Sequence, residues 1–209
     1  MTNTLHRQGT RESLSRDYII FVTTAKGYNS KGCAAKLQRF LRMAWEEKPV
    51  NIGVNRQNLI TAGGDVENMI AGIKDDSHPT ATFNNLESIR RVVRKLKQED
   101  LGLSVTISGL TEEIDQMLRE EGIVRHSIEH SIGIHGQTER LPTLQVLELT
   151  SMCGHGCISH NHARKMIDWT KLGKLKPRQA AIYLARPCSC GAFNIDRGEE
   201  LLKKAIDMA

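Results

Sequence analysis

The chain has 209 residues, long enough to bury a sizeable core without covalent staples, and carries a formal net charge of +5 with aromatic residues at only 4%. No apolar run reaches the roughly 20 residues of a membrane span, and the opening Met1-Thr2-Asn3-Thr4-Leu5-His6-Arg7 lacks the apolar stretch of a secretory signal, so no membrane partner and a cytoplasmic location are expected. The positive charge suits an anionic partner, but scarce aromatics give no stacking platform for single strands and no motif supports nucleic acid.

Residues 1–16 are polar, charged and aperiodic, and are expected to form a flexible N-terminal arm. Tyr18-Ile19-Ile20-Phe21-Val22 reads as a buried strand, followed by a loop from which Ser30 can cap a helix with the apolar stripe Ala34, Leu37, Leu41, Ala44 and Trp45. The loop from Gly27 to Cys33 has a GxxxxG spacing. Cys33 and Ala34 stand where a phosphate loop needs Lys and Ser or Thr, so nucleotide hydrolysis is not supported. A tight structural turn is the simpler reading, with anion binding at the helix N-terminus the alternative. Cys33 beside Lys31 could have a lowered pKa there, although a small buried residue is the commoner fate.

The stretch from Pro49 to Pro79 is rich in Gly, Asn and Asp, with Asn58 to Thr61 a short strand and Val66 to Ile73 a short helix. Asn85 then precedes Leu86, Ile89, Val92, Val93 and Leu96 at helical spacing, opposite a basic face. Leu103 to Ile107 alternates as a strand, and Thr111 opens a helix that Gly122 ends. A last strand fits Arg125 to Ile134, with His126, Ile128, His130, Ile132 and Ile134 on one face. Such a face could line a pocket beside the cysteines described below, or carry partly exposed histidines.

From Pro142 the pattern becomes helical: a short helix through Leu149, another over Asn161 to Leu172, a third from Pro177 to near Pro187, and a last one through Met208 with Asp196 and Glu199 as a capping box. The predicted fold class is therefore α/β. A small layered N-terminal domain of alternating strands and helices (17–140) is followed by a C-terminal helical cysteine-ligated module (141–209).

Four of the five cysteines lie in that module, in Cys153-Gly154-His155-Gly156-Cys157 and Cys188-Ser189-Cys190-Gly191. Soft thiolates select zinc, copper(I) or iron–sulfur clusters, and the glycines allow backbone to approach the sulfurs. Structural zinc favours CxxC spacing, whereas the CxxxC and CxC found here suit separate corners of an iron–sulfur cluster, preferentially 4Fe-4S. Cys153, Cys157, Cys188 and Cys190 are the expected ligands of that cofactor, with zinc and a metal-free thiol pair as alternatives. If only three bind, an open iron could act as a Lewis acid.

His155 is the candidate acid–base residue, whereas His160 and His162 read equally as polar residues at a helix start. Asn194, Asp196, Arg197 and Arg186 could line the same pocket, but capping and surface roles explain them as well. The expected function is redox or cluster-assisted chemistry, of an oxidoreductase or lyase, on a small anionic substrate, served by a redox partner protein. The alternative is a zinc-stabilised binding or regulatory module without catalysis.

Overall fold

The computed structural model describes residues 6–207. A short helix, α1 (Arg11–Leu14), precedes β1 (Tyr18–Thr23), α2 (Ala34–Glu46), β2 (Asn51–Val54), β3 (Gln57–Asn58), α3 (Val66–Ala71), β4 (Thr80–Phe83), α4 (Leu86–Glu99), β5 (Ser104–Ser108) and α5 (Thr111–Glu120). Four further helices follow: α6 (Leu144–Thr150), α7 (His160–Lys171), α8 (Pro177–Ala185) and α9 (Ile195–Asp207). The strands form one sheet in the order β3-β2-β4-β1-β5 with every neighbouring pair antiparallel. The expected α/β class is what the chain adopts.

β1 is apolar at every turn of its pleat because helices cover both faces of the sheet. Tyr18, Ile20 and Val22 pack with α2 to α5, while Ile19 and Phe21 pack with α6 to α9. No helix among the described residues is long and apolar enough to cross a membrane.

Two strands, β2 and β4, lie within or just beyond the stretch that reads as loop-rich. Both are short and wholly buried, so neither shows the polar–apolar alternation of a half-exposed strand. The strand expected over Asn58 to Thr61 is confined to Gln57–Asn58, where Asn55 and Arg56 at φ of 52° and 64° make the tight hairpin from β2.

Arg125 to Ile134 pairs with no strand; it is extended and exposed, with Ile132 79% accessible. The alternation is real, but no layer covers the sheet there to give the segment an apolar face to bury.

Helix capping also departs from expectation. Asp75, rather than Ser30, closes the start of α2: the N–H groups of Gly32 and Ala34 donate to its carboxylate at 2.7 and 2.8 Å and hold it below the usual carboxylate range. The helix end that could have taken an external anion is thus occupied by the chain's own side chain. Burial raises the Cys33 thiol, and its Sγ donates to the Asp75 carbonyl, so the lowered pKa considered for it is not found. Asn194 caps α9 by accepting from the Arg197 N–H (3.0 Å), while Asp196 serves Arg178 and Asn84. The basic face of α4 is engaged as well, with Arg90 and Arg94 on Glu121 and Lys95 on Glu46 and Glu47.

Part of the stretch expected as an arm, together with Asp17 just beyond it, touches the last helix. Arg197, at the start of α9, donates to the Gln8 carbonyl (2.7 Å), Ser13 Oγ (2.9 Å) and Asp17 Oδ2 (2.8 Å). Asp17 and Arg197 are both essentially inaccessible to solvent. Removing one member of such a pair leaves a buried charge uncompensated, which costs about 3–5 kcal/mol. Asp17→Ala is therefore expected to lower unfolding free energy by about that amount, read from urea denaturation, whereas Arg42→Ala at an exposed ion pair should cost under about 1 kcal/mol.

Candidate metal centre

Cross-strand partners share a face, so Asn51, Gly53, Asn58 and Thr82 point to the same side of the sheet as Ile19 and Phe21. That side meets the turn after α8, where Cys188 and Cys190 lie. Asn58 is fully buried. Its Nδ2 donates to the carbonyls of Ala185 (2.9 Å) and Cys188 (2.7 Å), and its Oδ1 accepts from the N–H groups of Ile60 and Thr61. Thr82 Oγ1 donates to the Gly191 carbonyl (2.9 Å), and Asn51 Nδ2 to the Phe193 carbonyl (3.0 Å). Thr82 and Asn51 thereby satisfy the Gly191 and Phe193 carbonyls, which an apolar sheet would have left orphaned, while Asn58 adds a second donor to the Ala185 and Cys188 carbonyls beside the Cys188 and Gly191 N–H groups.

The approach is closer still at Gly53. A Cβ there would overlap the Cys190 carbonyl, and one at Gly191, whose φ is +69°, would overlap the Ile52 and Gly53 backbone. Two glycines face each other so that a turn can lie directly on a strand.

The other thiols arrive from the turn after α6. Gly154 and Gly156 have φ of 73° and 66°, which coils CGHGC and brings donor atoms of Cys153, His155 and Cys157 within 4.8 Å of one another. The two turns meet: Cys190 Sγ lies 3.5 Å from Cys188 Sγ and 3.3 Å from His155 Nδ1. Cys153 and Cys188 are wholly buried, whereas His155 and Cys157 are exposed.

Hydrogen bonding sorts the thiols. Cys188 gives its proton toward Cys153 and Cys190 and is held protonated, its pKa pushed far up. Cys153, receiving that bond and supported by the N–H groups of His155 and Cys157, is pulled down to about 5. Cys190 falls to about 7 for the same first reason, with help from the Ala192 N–H. Cys157 is pushed up to about 11, by desolvation first and then by the charges of Cys153 and Cys190. Thiolate at two positions beside two further sulfurs and an imidazole is a donor set that can hold a metal ion.

All four cysteines expected as ligands, and His155, are thus brought together. Other residues considered for the pocket have separate duties. His162 Nε2 meets the Tyr183 carbonyl (3.3 Å), Arg186 stacks on the Tyr183 ring, and Asn194 and Arg197 belong to the α9 cap and the buried ion pair. His126 and His130 line a groove along β5 instead of facing the cysteines. Sequence reasoning missed Asn51, Gly53, Asn58 and Thr82; the one available signal is the clustering of Asn51, Gly53 and Asn58 around Ile52 and Val54, unusual for an ordinary core strand. No protein-family model, curated protein or solved structure matches this chain.

Asn58→Ala leaves the N–H groups of Ile60 and Thr61 without their acceptor, at about 1–3 kcal/mol for each orphan, and takes one of two donors from the Ala185 and Cys188 carbonyls, which keep the Cys188 and Gly191 N–H groups. It is expected to cost at least about 2 kcal/mol in denaturant unfolding and to weaken metal binding at least about tenfold by loosening the cysteine turn. Thr82→Val, which orphans one carbonyl, should show a smaller change in both measurements.

Proposed function

We propose that the two turns hold one zinc ion through Cys153, His155, Cys188 and Cys190, and that the chain is a zinc-stabilised binding module. The observation that carries this is the pair of contacts made by Cys190 Sγ, 3.5 Å to Cys188 Sγ and 3.3 Å to His155 Nδ1. With Zn–S near 2.3 Å and Zn–N near 2.0 Å, neighbouring ligands on one tetrahedral ion stand about 3.5–3.8 Å apart. Thiolates on separate irons of a four-iron cluster stand farther apart than that. His155, which the sequence suggests as an acid–base group, is then a ligand, and the exposed Cys157 is a fifth donor competing for the same position. Zinc carries no redox chemistry, so its role here is to tie two turns to each other and to the sheet. A reducing, cytoplasmic setting belongs to this reading, since it keeps the thiols available.

An iron–sulfur centre with redox or cluster-assisted activity is the second reading. It is favoured by the N–H groups of His155, Cys157 and Ala192 directed at sulfur, as cluster thiolates receive them.

Metal analysis of protein purified both aerobically and under strict anaerobiosis separates the two. One equivalent of zinc in colourless protein, and intense tetrahedral d–d bands after cobalt(II) replacement, are expected. A brown anaerobic preparation with iron and sulfide in excess of zinc overturns the zinc reading. Cys188→Ser and Cys190→Ser should each lose most of the metal, while Cys33→Ser and Cys157→Ala retain it.

Protons compete with metal for the same sulfurs. With Cys190 at about 7 and Cys153 at about 5, zinc retention should fall as pH drops through that interval, and because the Cys188 thiol is held protonated without metal, retention should keep rising above it. Equilibrium dialysis between pH 5 and 8 checks this.

A further inference from the structure

The helices α6 to α9 cover the sheet face from β3 to β1 but leave β5 open. Ser104, Thr106 and Ser108 of β5 pair with Thr23, Phe21 and Ile19, so their side chains lie on that uncovered face. Thr106 is exposed where its neighbour Phe21 is buried. A groove of about 850 Å³ wraps round this edge, bounded by β5, the N-terminal segment and the extended residues 124–131, and reaching Leu96 and Leu118 of α4 and α5 on the other face. His6 Nδ1 contacts Ser131 Oγ at 3.1 Å, which ties the outer wall to the N-terminal segment. The size is within the usual range of small-molecule sites, about 300–1,000 Å³. Three interstrand steps separate β5 from β2, about 14 Å, so the groove is distinct from the metal centre.

One of its lining residues is a buried cation. The Arg7 side chain is 5% exposed, and its Nη1 lies 2.9 Å from Asp17 Oδ2 but makes no hydrogen bond of good direction. The same oxygen already takes the Arg197 bond. Two buried guanidiniums therefore share one carboxylate. Glu148 is the next acidic group near Arg197, and its burial raises its pKa, which favours the neutral form. Asp100, Glu112 and Glu129 also line the groove, with Lys97 and Arg125 opposing them. Those three carboxylates belong to exposed residues, where solvent and salt screen them, whereas Arg7 is desolvated. Hydroxyls of Thr23 and Thr106 and the imidazoles of His126 and His130 supply further donors around the groove.

We propose that the groove along β5 binds the oxyanion of a small molecule, a phosphate or a carboxylate, with Arg7 as its buried counter-charge and Thr106 among its donors. The apolar wall of Leu14, Phe21 and Ile128 takes the uncharged part of the ligand. This site does not depend on the metal reading.

Inorganic phosphate and succinate are the two probes, titrated separately into the full chain at constant ionic strength against chloride. Melting temperature and the NMR shifts of His126, His130 and Thr106 are recorded. A saturable rise in melting temperature with one or both anions, with shifts at those residues, is expected. Response to phosphate alone or succinate alone identifies the oxyanion. Thr106→Val, an exposed change that leaves the core intact, should weaken binding at least fivefold, and Arg7→Gln should abolish it. Should Arg7→Gln fail to fold, Thr106→Val and the shift map decide. Absence of saturation with both anions, shifts confined to the cysteine turns, or unchanged affinity in Thr106→Val overturns the proposal.

Discussion

Backbone touches backbone where Gly53 of β2 meets the Cys190–Gly191 turn, and the site is arranged around that contact. A sheet normally keeps neighbouring layers about 10 Å away through its side chains. Here the side chain is missing on both partners, so the turn lies on the strand itself, and Asn51, Asn58 and Thr82 hold its carbonyls from around the gap. Cys188 and Cys190 are consequently seated on the buried middle of the sheet, although they belong to a turn between helices. CGHGC has no comparable seat and reaches the pair through Cys153 and His155.

This arrangement gives the sheet face a division of labour. Under β1 it is apolar and buries the helical layer; under β2, β3 and β4 it is polar and receives a turn; at β5 it is uncovered and bounded by an extended segment. Each behaviour follows from which residues the antiparallel register brings to the same side. A polar residue inside a strand is costly unless it has a partner, and for Asn51, Asn58 and Thr82 the C-terminal segment supplies the acceptors of their donor groups. The N-terminal segment and α9 are joined by the same logic through Asp17 and Arg197.

Much of this was legible in the residues. The apolar runs of β1, α2 and α4 carry their periodicities openly, and the spacing of CGHGC and CSCG identified two turns that belong together. β2 and β4 were hidden because both faces are buried and one is polar, so Asn51, Gly53 and Thr82 look like loop residues until their acceptors are known. Asp75 was hidden for a different reason: a capping side chain about 40 residues from its helix leaves no local pattern. Arg125 to Ile134 errs the other way. Its alternation is that of a strand, but a strand also needs a neighbour, and the edge it runs beside is separated from it by the groove.

The sequence distance between Asn58 and the carbonyls it holds has a consequence for how the molecule comes into being. Those bonds span 127 and 130 residues, and the Thr82–Gly191 bond spans 109. Contacts of that separation close late, after local helices and hairpins have formed, because loop closure must precede any gain from them. During synthesis the first sheet strands leave the ribosome well before residues 185–193 exist, so the polar face of β2 and β3 waits in water for its acceptors. Maturation of the thiol site is therefore a terminal event of folding, and a chain interrupted shortly before Pro187 would carry CGHGC with nothing to complete it.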